Sequence, residues 1–289
     1  MSKILVTGSN GQLGSELRKL AIKNTQHEFL FTDVEELNIC SVDEVEQMMA
    51  DFRPDVLVNC AAYTQVDRAE DDVVGCYKLN AKAPGICAAA CKKFGAKFIH
   101  VSTDYVFDGV GCRPYIESDE VNPQSVYGKS KLVGESKILE VLPEAIIVRT
   151  SWLYSSFGGN FVKTMIRLGE EREQLNVVFD QVGTPTYAGD LADAILNMIV
   201  SLKDDENQAG IYHYSNEGVC SWYDFALAIH EEAGVECNVY PVESKEFPVK
   251  ATRPSYSVLN KNKIKQNFGL IIPHWRESLK LCIQEIKQS

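Results

Sequence analysis

The sequence has no run of about 18 apolar residues, so no segment of it is suited to cross a bilayer as a helix. Nothing at its start looks like a secretory leader: Lys3 leads at once into Ile4-Leu5-Val6-Thr7-Gly8, too short and too early for a signal-peptide core. A cytoplasmic protein with no membrane partner is expected. Cations are scarce. The 29 Lys and Arg stand against 40 Asp and Glu, a formal net charge of -11. That argues against a nucleic-acid partner, because phosphate contacts need Lys and Arg in excess, and it leaves room for a small anionic ligand held by a few local cations. Paired-cysteine motifs are missing as well. None of the nine cysteines forms a C-x-x-C pair; Cys87 and Cys91 are one helical turn apart in an Ala-rich apolar stretch with no further ligands nearby. They read as reduced, mostly buried thiols. His213, His230 and His274 lack metal-ligand spacing, and His100 sits inside an apolar strand as a core histidine. Repeats and low-complexity segments are absent.

What is present is an alternation. Ile4-Leu5-Val6, Phe29-Leu30-Phe31, Val56-Leu57-Val58, Phe98-Ile99-His100-Val101 and Ile146-Ile147-Val148 are short, continuous apolar runs, as strands buried on both faces should be. Between them, helices are expected near 12–23, 41–52, 72–94 and 126–141. The second opens on Ser41 and Glu44, a capping-box pair. Strand and helix in turn imply right-handed βαβ units and an α/β, doubly wound (Rossmann-like) parallel sheet. After about residue 150 the rhythm loosens, with helices near 160–172, 189–203, 221–233 and 274–287 and short strands around 177–179, 211–214 and 239–242. Residues 180–186 read as a loop of turn-formers, and 203–207 as a solvated connection. The expected organisation is a dinucleotide-binding domain over 1–150 and a smaller C-terminal substrate lobe over 151–289, with some segments returning to the first domain.

Gly8-Ser9-Asn10-Gly11-Gln12-Leu13-Gly14 follows the first strand and opens the first helix. Glycines there permit a tight turn and let backbone N–H groups approach a pyrophosphate at the positive end of the helix. The spacing is G-x-x-G-x-x-G, weak by itself; the strand before it, the helix after it and the acid Asp33 at the end of the second strand strengthen the dinucleotide reading. A carboxylate at Asp33 can bind a ribose 2′-hydroxyl and repels a 2′-phosphate, which favours NADH over NADPH. Asn59-Cys60-Ala61-Ala62-Tyr63-Thr64 follows the third strand, where small residues would admit a cofactor close to the backbone or simply pack.

The second constellation is Tyr127-Gly128-Lys129-Ser130-Lys131. Tyr127 and Lys131 are i and i+4 on one helical face, while Lys129 points elsewhere, toward solvent. A phenol with an ordinary pKa near ~10 is a poor acid or base at neutral pH, and an adjacent ammonium is expected to lower it. Val101-Ser102-Thr103-Asp104 ends the fourth strand at the carboxyl edge, where open α/β sheets bind ligands. Thr103 can donate to a ketone oxygen and hold it by the phenol, a division of labour that matches carbonyl reduction.

Together these pieces resemble the extended short-chain dehydrogenase/reductase superfamily and, within it, the dTDP-4-dehydrorhamnose reductase family. The matching segments run nearly end to end: Gly11-Gln12-Leu13-Gly14, Arg53-Pro54-Asp55-Val56, Asn59 to Asp67, Ser102-Thr103-Asp104-Tyr105-Val106-Phe107, Tyr127 to Lys131, Arg149-Thr150-Ser151-Trp152, Asn160-Phe161 and Arg253-Pro254. The resemblance implies reduction of the 4-keto group of dTDP-4-dehydro-β-L-rhamnose by NADH or NADPH, with Tyr127 as proton donor and Lys131 and Thr103 completing the set. It also implies a cofactor site of Gly11, Gln12, Leu13, Asp33, Asn38, Ile39, Ala62, Tyr63, Thr64, Val101 and Tyr154. The nucleotide-sugar would meet Thr103, Asp104 and Trp152, and in the substrate lobe Asn160, Gln181 and Arg253. A guanidinium suits a diphosphate. Two departures stand out. Asn38 occupies a place where relatives often carry Asp, and Asp190 is a shorter acid where some relatives, with an acid matching Glu16, dimerise around Mg2+. A homodimer and Mg2+ therefore stay open. A nucleotide-sugar dehydratase is disfavoured because Tyr105, not Glu, follows Thr103-Asp104. An epimerase, or a non-catalytic regulator similar to the beta subunit of methionine adenosyltransferase, stands as the alternative.

Overall fold

The computed structural model describes residues 1–202, 208–247 and 249–288. The connection expected over 203–207 lies outside the described residues. Strands β1 (Lys3–Thr7), β2 (Glu28–Thr32), β3 (Val56–Asn59), β4 (Lys97–Thr103) and β5 (Ile146–Thr150) are followed by the short β6 (Leu153–Tyr154), β7 (Gln174–Val178), β8 (Val182–Gly183) and β9 (Thr186–Tyr187), then β10 (Gly210–His213), β11 (Cys220–Ser221) and β12 (Asn238–Val242). The central sheet has six strands in the order β2-β1-β3-β4-β5-β10, every neighbouring pair parallel. Its inner strands are apolar without alternation because both faces are covered; all four residues of β3 and all five of β5 are buried.

The helices are α1 (Gln12–Ala21), α2 (Val42–Phe52), α3 (Val66–Ala69), α4 (Val73–Tyr77), α5 (Ala83–Phe94), α6 (Val126–Val141), α7 (Phe161–Glu171), α8 (Ala188–Ser201), α9 (Trp222–Ala233), α10 (Asn262–Phe268) and α11 (Trp275–Gln288). One layer packs Leu13 and Leu17 of α1 with Leu191, Ile195 and Met198 of α8 and Ile264 and Phe268 of α10. The other sets Val45 and Met49 of α2, Cys87 and Cys91 of α5 and Ile138 of α6 on the opposite face. A third apolar cluster, with Phe225 and Ile229 of α9 and Leu279 and Ile283 of α11, forms the core of the C-terminal region. The chain crosses back from that region, since β10 pairs with β5 and α8 lies against α1.

Two expected elements differ in form. The helix expected over 72–94 is broken into α4, a π turn at Lys78–Lys82, and α5. Pro84 is the cause: its ring cannot tolerate the carbonyl of Asn80 in a regular helix, and the backbone widens there. The Ser41–Glu44 capping box is only half made. Ser41 accepts from Glu44 N at 3.4 Å, while the Glu44 carboxylate accepts from Asn38 N at 3.1 Å instead. The loop expected over 180–186 contains the two-residue strand β8 and runs at its last residue into β9, and α10 lies where periodicity gives no helix. No helix among the described residues is long and apolar enough to cross a membrane.

Candidate active site

From β1 the chain runs to β2 on one side and then crosses to β3 on the other. The loops at the carboxyl ends of β1 and β3 part at that switch, leaving a crevice of the kind in which open α/β sheets bind ligands. A cleft of about 550 Å³ lies there, lined by Gly8, Gly11, Gln12, Leu13, Gly14, Asp33, Asn38, Ile39, Ala62 and Thr64. A larger depression of about 760 Å³ lies at the opposite, amino ends of the strands, around Met1, Asp55 and Lys97, away from this chemistry.

The three glycines do different work. Gly8 has φ +68°, and a Cβ on it would fall 2.5 Å from Ala61 N. A Cβ on Gly14 would fall 2.5 Å from Gly8 O, so the helix closes on the strand only with glycine there. At Gly11 the only protein atom met is Gly8 O at 3.3 Å; this position is open to a ligand, as a backbone that must approach a pyrophosphate requires. Asp33 is pinned at the rim, accepting from Asn10 N at 2.9 Å and Val34 N at 2.8 Å. The lining contains no Lys or Arg. Leu153, Gly158 and Gly159 close the cleft from the C-terminal region; none of the three was singled out in the sequence.

Beyond this cleft is the second constellation. Ser125 caps α6 by accepting from Gly128 N at 3.1 Å, which starts the helix just before Tyr127. Thr103, the last residue of β4, lies close enough to the Tyr127 phenol for its hydroxyl to favour the ionised form. It also donates to Asp104 Oδ1 at 3.0 Å. Burial pushes the Asp104 carboxyl up to about 7, against the Thr103 and Ser257 hydroxyls, which favour the carboxylate. The expectation that Lys131 lowers the phenol's pKa is corrected. Desolvation dominates and raises Tyr127 well above its ordinary value, with Thr103 pulling the other way. The physical reason is where the lysine's amino group goes: Lys131 Nζ donates to Val101 O at 2.7 Å and lies 3.1 Å from His100 Nε2. Lys131 is itself brought down to about 8 by burial, opposed by Glu135. Lys129 is exposed, as its helical angle implies.

Other expected residues fall less directly. Tyr63 is next to the cleft, its N–H donating to Asn80 Oδ1 at 2.8 Å. Val101 contributes its carbonyl to Lys131. Tyr154 does not face the cleft; it is 1 % exposed and packed between Tyr187 and Phe225, because the inward side of β6 belongs to the third apolar cluster. Asn160 caps α7 and donates to Gln12 Oε1 at 3.0 Å, so it ties the glycine loop to the C-terminal region. Trp152 has φ +47° and stacks on Trp222 with ring centroids 3.6 Å apart. A Cβ on Gly183 would fall 2.7 Å from the Trp152 ring, so glycine leaves room for it. Gln181 donates to Ser244 Oγ at 2.9 Å. Arg253 pairs with Asp67 at 2.5 Å and donates to Tyr105 Oη at 3.3 Å. Residues that the sequence did not single out include Asn80, Glu135 and Trp222.

Within the chain, the carboxylates of Glu16 and Asp190 are already engaged. Glu16 is 1 % exposed and accepts from Ser155 Oγ at 2.7 Å, and Asp190 accepts from Asn216 and Ser278. Among the described residues no group of three or more His, Cys, Asp or Glu is arranged to hold a metal ion.

A parallel sheet with a glycine-lined cleft at its switch point, and a Thr–Tyr–Lys set at the adjoining strand end, defines a nicotinamide-dependent oxidoreductase of the short-chain type. The family model described as "RmlD substrate binding domain" matches residues 2–288. The chain is 42% identical to the dTDP-4-dehydrorhamnose reductase of Aggregatibacter actinomycetemcomitans over 97% of its own length and 98% of that relative's. The crystal structure of a dTDP-4-dehydrorhamnose reductase from Clostridium acetobutylicum superposes with a TM-score of 0.93 at 46% identity, covering 99% of both chains. That of the Bacillus anthracis reductase in complex with NADP gives 0.92 at 41% identity, covering 98% of this chain and 99% of that one. The chain belongs to the RmlD family, that of the dTDP-4-dehydrorhamnose reductases.

Proposed function

We propose that the protein reduces the 4-keto group of dTDP-4-dehydro-β-L-rhamnose, that it does so in the cytoplasm, and that it prefers NADH. The observation that carries the reaction type is the juxtaposition of the Thr103 hydroxyl and the Tyr127 phenol, one helical turn from Lys131 and beside the glycine-lined cleft. When bound, reduced nicotinamide supplies the hydride. Tyr127, whose desolvated phenol stays protonated, gives its proton to the carbonyl oxygen as negative charge develops there. Thr103 orients that oxygen. Lys131 acts behind the phenol, and the Trp152–Trp222 stack offers a flat apolar wall for the sugar or base. Arg253 would share its guanidinium between Asp67 and the diphosphate. The region from 151 onward forms most of the substrate lobe.

The test is to supply purified protein with dTDP-4-dehydrorhamnose and follow the absorbance of reduced nicotinamide. Oxidation of one cofactor per sugar reduced is expected; turnover of the sugar without net oxidation would indicate an epimerase. Absence of any turnover, together with stable binding to another enzyme, would indicate the regulator.

The cofactor preference rests on Asp33 at the rim and the lack of a cation in the lining. NADH is expected to give the higher kcat/KM, and Asp33→Ala to narrow the gap. A clear NADPH advantage in the unaltered protein contradicts this reading of Asp33. Gly11→Val is expected to weaken cofactor binding at least ~10-fold, about 1.4 kcal/mol, with little loss of thermal stability, because the side chain enters the ligand's space. Unchanged affinity by titration would place the pyrophosphate elsewhere.

A further inference from the structure

His100 is fully buried in β4, between Asn59 at the end of β3 and Lys131 on α6. The Asn59 amide has only one orientation that satisfies its neighbours. Its Oδ1 accepts from Ala61 N at 3.1 Å and from Thr7 Oγ1 at 2.8 Å; turning the amide over would set its N–H group against the backbone N–H. Nδ2 therefore faces His100 Nδ1, at 3.0 Å. An amide N–H only donates, so Nδ1 is the accepting nitrogen and the proton of the neutral ring is on Nε2. That nitrogen lies 3.1 Å from Lys131 Nζ. Against an ammonium the contact would bring two donors together. Against a neutral amine it is a hydrogen bond to the lone pair, while the amine still donates to Val101 O at 2.7 Å.

We propose that His100 is a positioning residue for Lys131: its tautomer, fixed by Asn59, holds the lysine on the Val101 carbonyl and biases it toward the neutral amine. The chain of bonds is not a proton exit, because it ends at Thr7, and Thr7, Asn59 and His100 are all buried within the sheet. It acts as a fixed bias. The other titratable groups that act on Lys131 are Glu135 on its own helix, Cys76 on α4 and Cys60 after β3, with Tyr127 one turn away on the same helix. Glu135 opposes His100 by favouring the ammonium. Cys60, pushed up to about 12, and Cys76 and Tyr127, both raised, stay uncharged at working pH. Burial of the lysine acts in the same direction as His100. A lysine brought toward neutral pH can take up and release a proton there, which one at the ordinary value near ~10.4 cannot.

The inference rests on the reductase reading only in giving Lys131 a part in the chemistry, and its test does not use turnover. The chain has five histidines, few enough to resolve by 15N NMR of the full-length, histidine-labelled protein. His100 is expected as a neutral ring with the proton on Nε2 from pH 6 to 9. A proton on Nδ1, or an imidazolium in that range, overturns the proposal. In Asn59→Asp a carboxylate can accept from the ring as well as from Ala61 and Thr7. The proton is expected to move to Nδ1, and the Lys131 pKa, followed by its 13Cε shift, to rise by about one unit or more, tenfold in proton affinity. A raised lysine with the Nε2 proton retained would be the effect of added charge alone and would count against the tautomer. Should the variant fail to fold, the tautomer in the unaltered protein decides. Absence of cofactor oxidation with His100 and Lys131 titrating as expected would defeat the reductase reading and leave this one standing.

Discussion

Tyr127→Phe is expected to bind reduced cofactor normally and to lose at least ~10²-fold in turnover, the scale for removal of a general acid. The phenyl ring keeps the edge-on contact of Tyr127 with Tyr105, at 5.5 Å between centroids, so the fold and the neighbouring cleft have no reason to change. What disappears is the proton held beside Thr103. A phenol raised by desolvation is a weak acid that stays neutral and protonated across the working range, and it gives up that proton to a strong base such as the alkoxide that forms at the carbonyl oxygen. Steady-state rates alongside a cofactor titration separate the two effects. A near-normal rate removes Tyr127 from the proposed role.

The second large effect concerns stability. Arg149 on β5 and Glu135 on α6 form an ion pair at 2.7 Å in which both side chains are 2 % exposed. Ser102 Oγ donates to the same carboxylate at 2.5 Å, and the guanidinium lies over the Phe107 ring. Arg149→Leu would leave Glu135 as a buried, uncompensated charge, a loss of about 3–5 kcal/mol. Removing both charges, in Arg149→Leu with Glu135→Met, is expected to recover most of that, since an apolar pair of similar volume has no charge to desolvate. Urea unfolding of the three proteins measures it. A single substitution costing under about 1 kcal/mol would mean that the pair is not insulated from water.

The fold was largely legible because its signal is local. The five strands from β1 to β5 are continuous apolar runs, and α2 between them opens on the Ser41 N-cap. The glycine loop and the Tyr127–Lys131 pair can each be proposed from one short segment of chain, whereas it is the fold that brings Asp33 to the glycine loop and Thr103 to Tyr127. What escaped depends on contacts between distant segments. Trp222 matters through its stack on Trp152, and Glu135 through Arg149. Neither pairing leaves a mark in spacing. Tyr154 was expected in the cofactor site from resemblance, but the alternation of β6 turns it into the third apolar cluster. His100 reads as a core histidine in sequence, and it is one by burial; only the fold brings Lys131 to its second nitrogen. The downward influence of Lys131 on the phenol failed as an expectation because helical spacing gives a shared face and says nothing about which partner the ammonium prefers.

The proposed reaction is tested most directly by following a label. The protein is incubated with dTDP-4-dehydrorhamnose and NADH carrying deuterium at the transferring position of the nicotinamide, and the sugar nucleotide is analysed by mass spectrometry and NMR. The account predicts a dTDP-rhamnose product with deuterium bound at carbon 4 and an equal amount of oxidised cofactor. An unlabelled sugar beside unchanged NADH, or label at any other carbon, would contradict it.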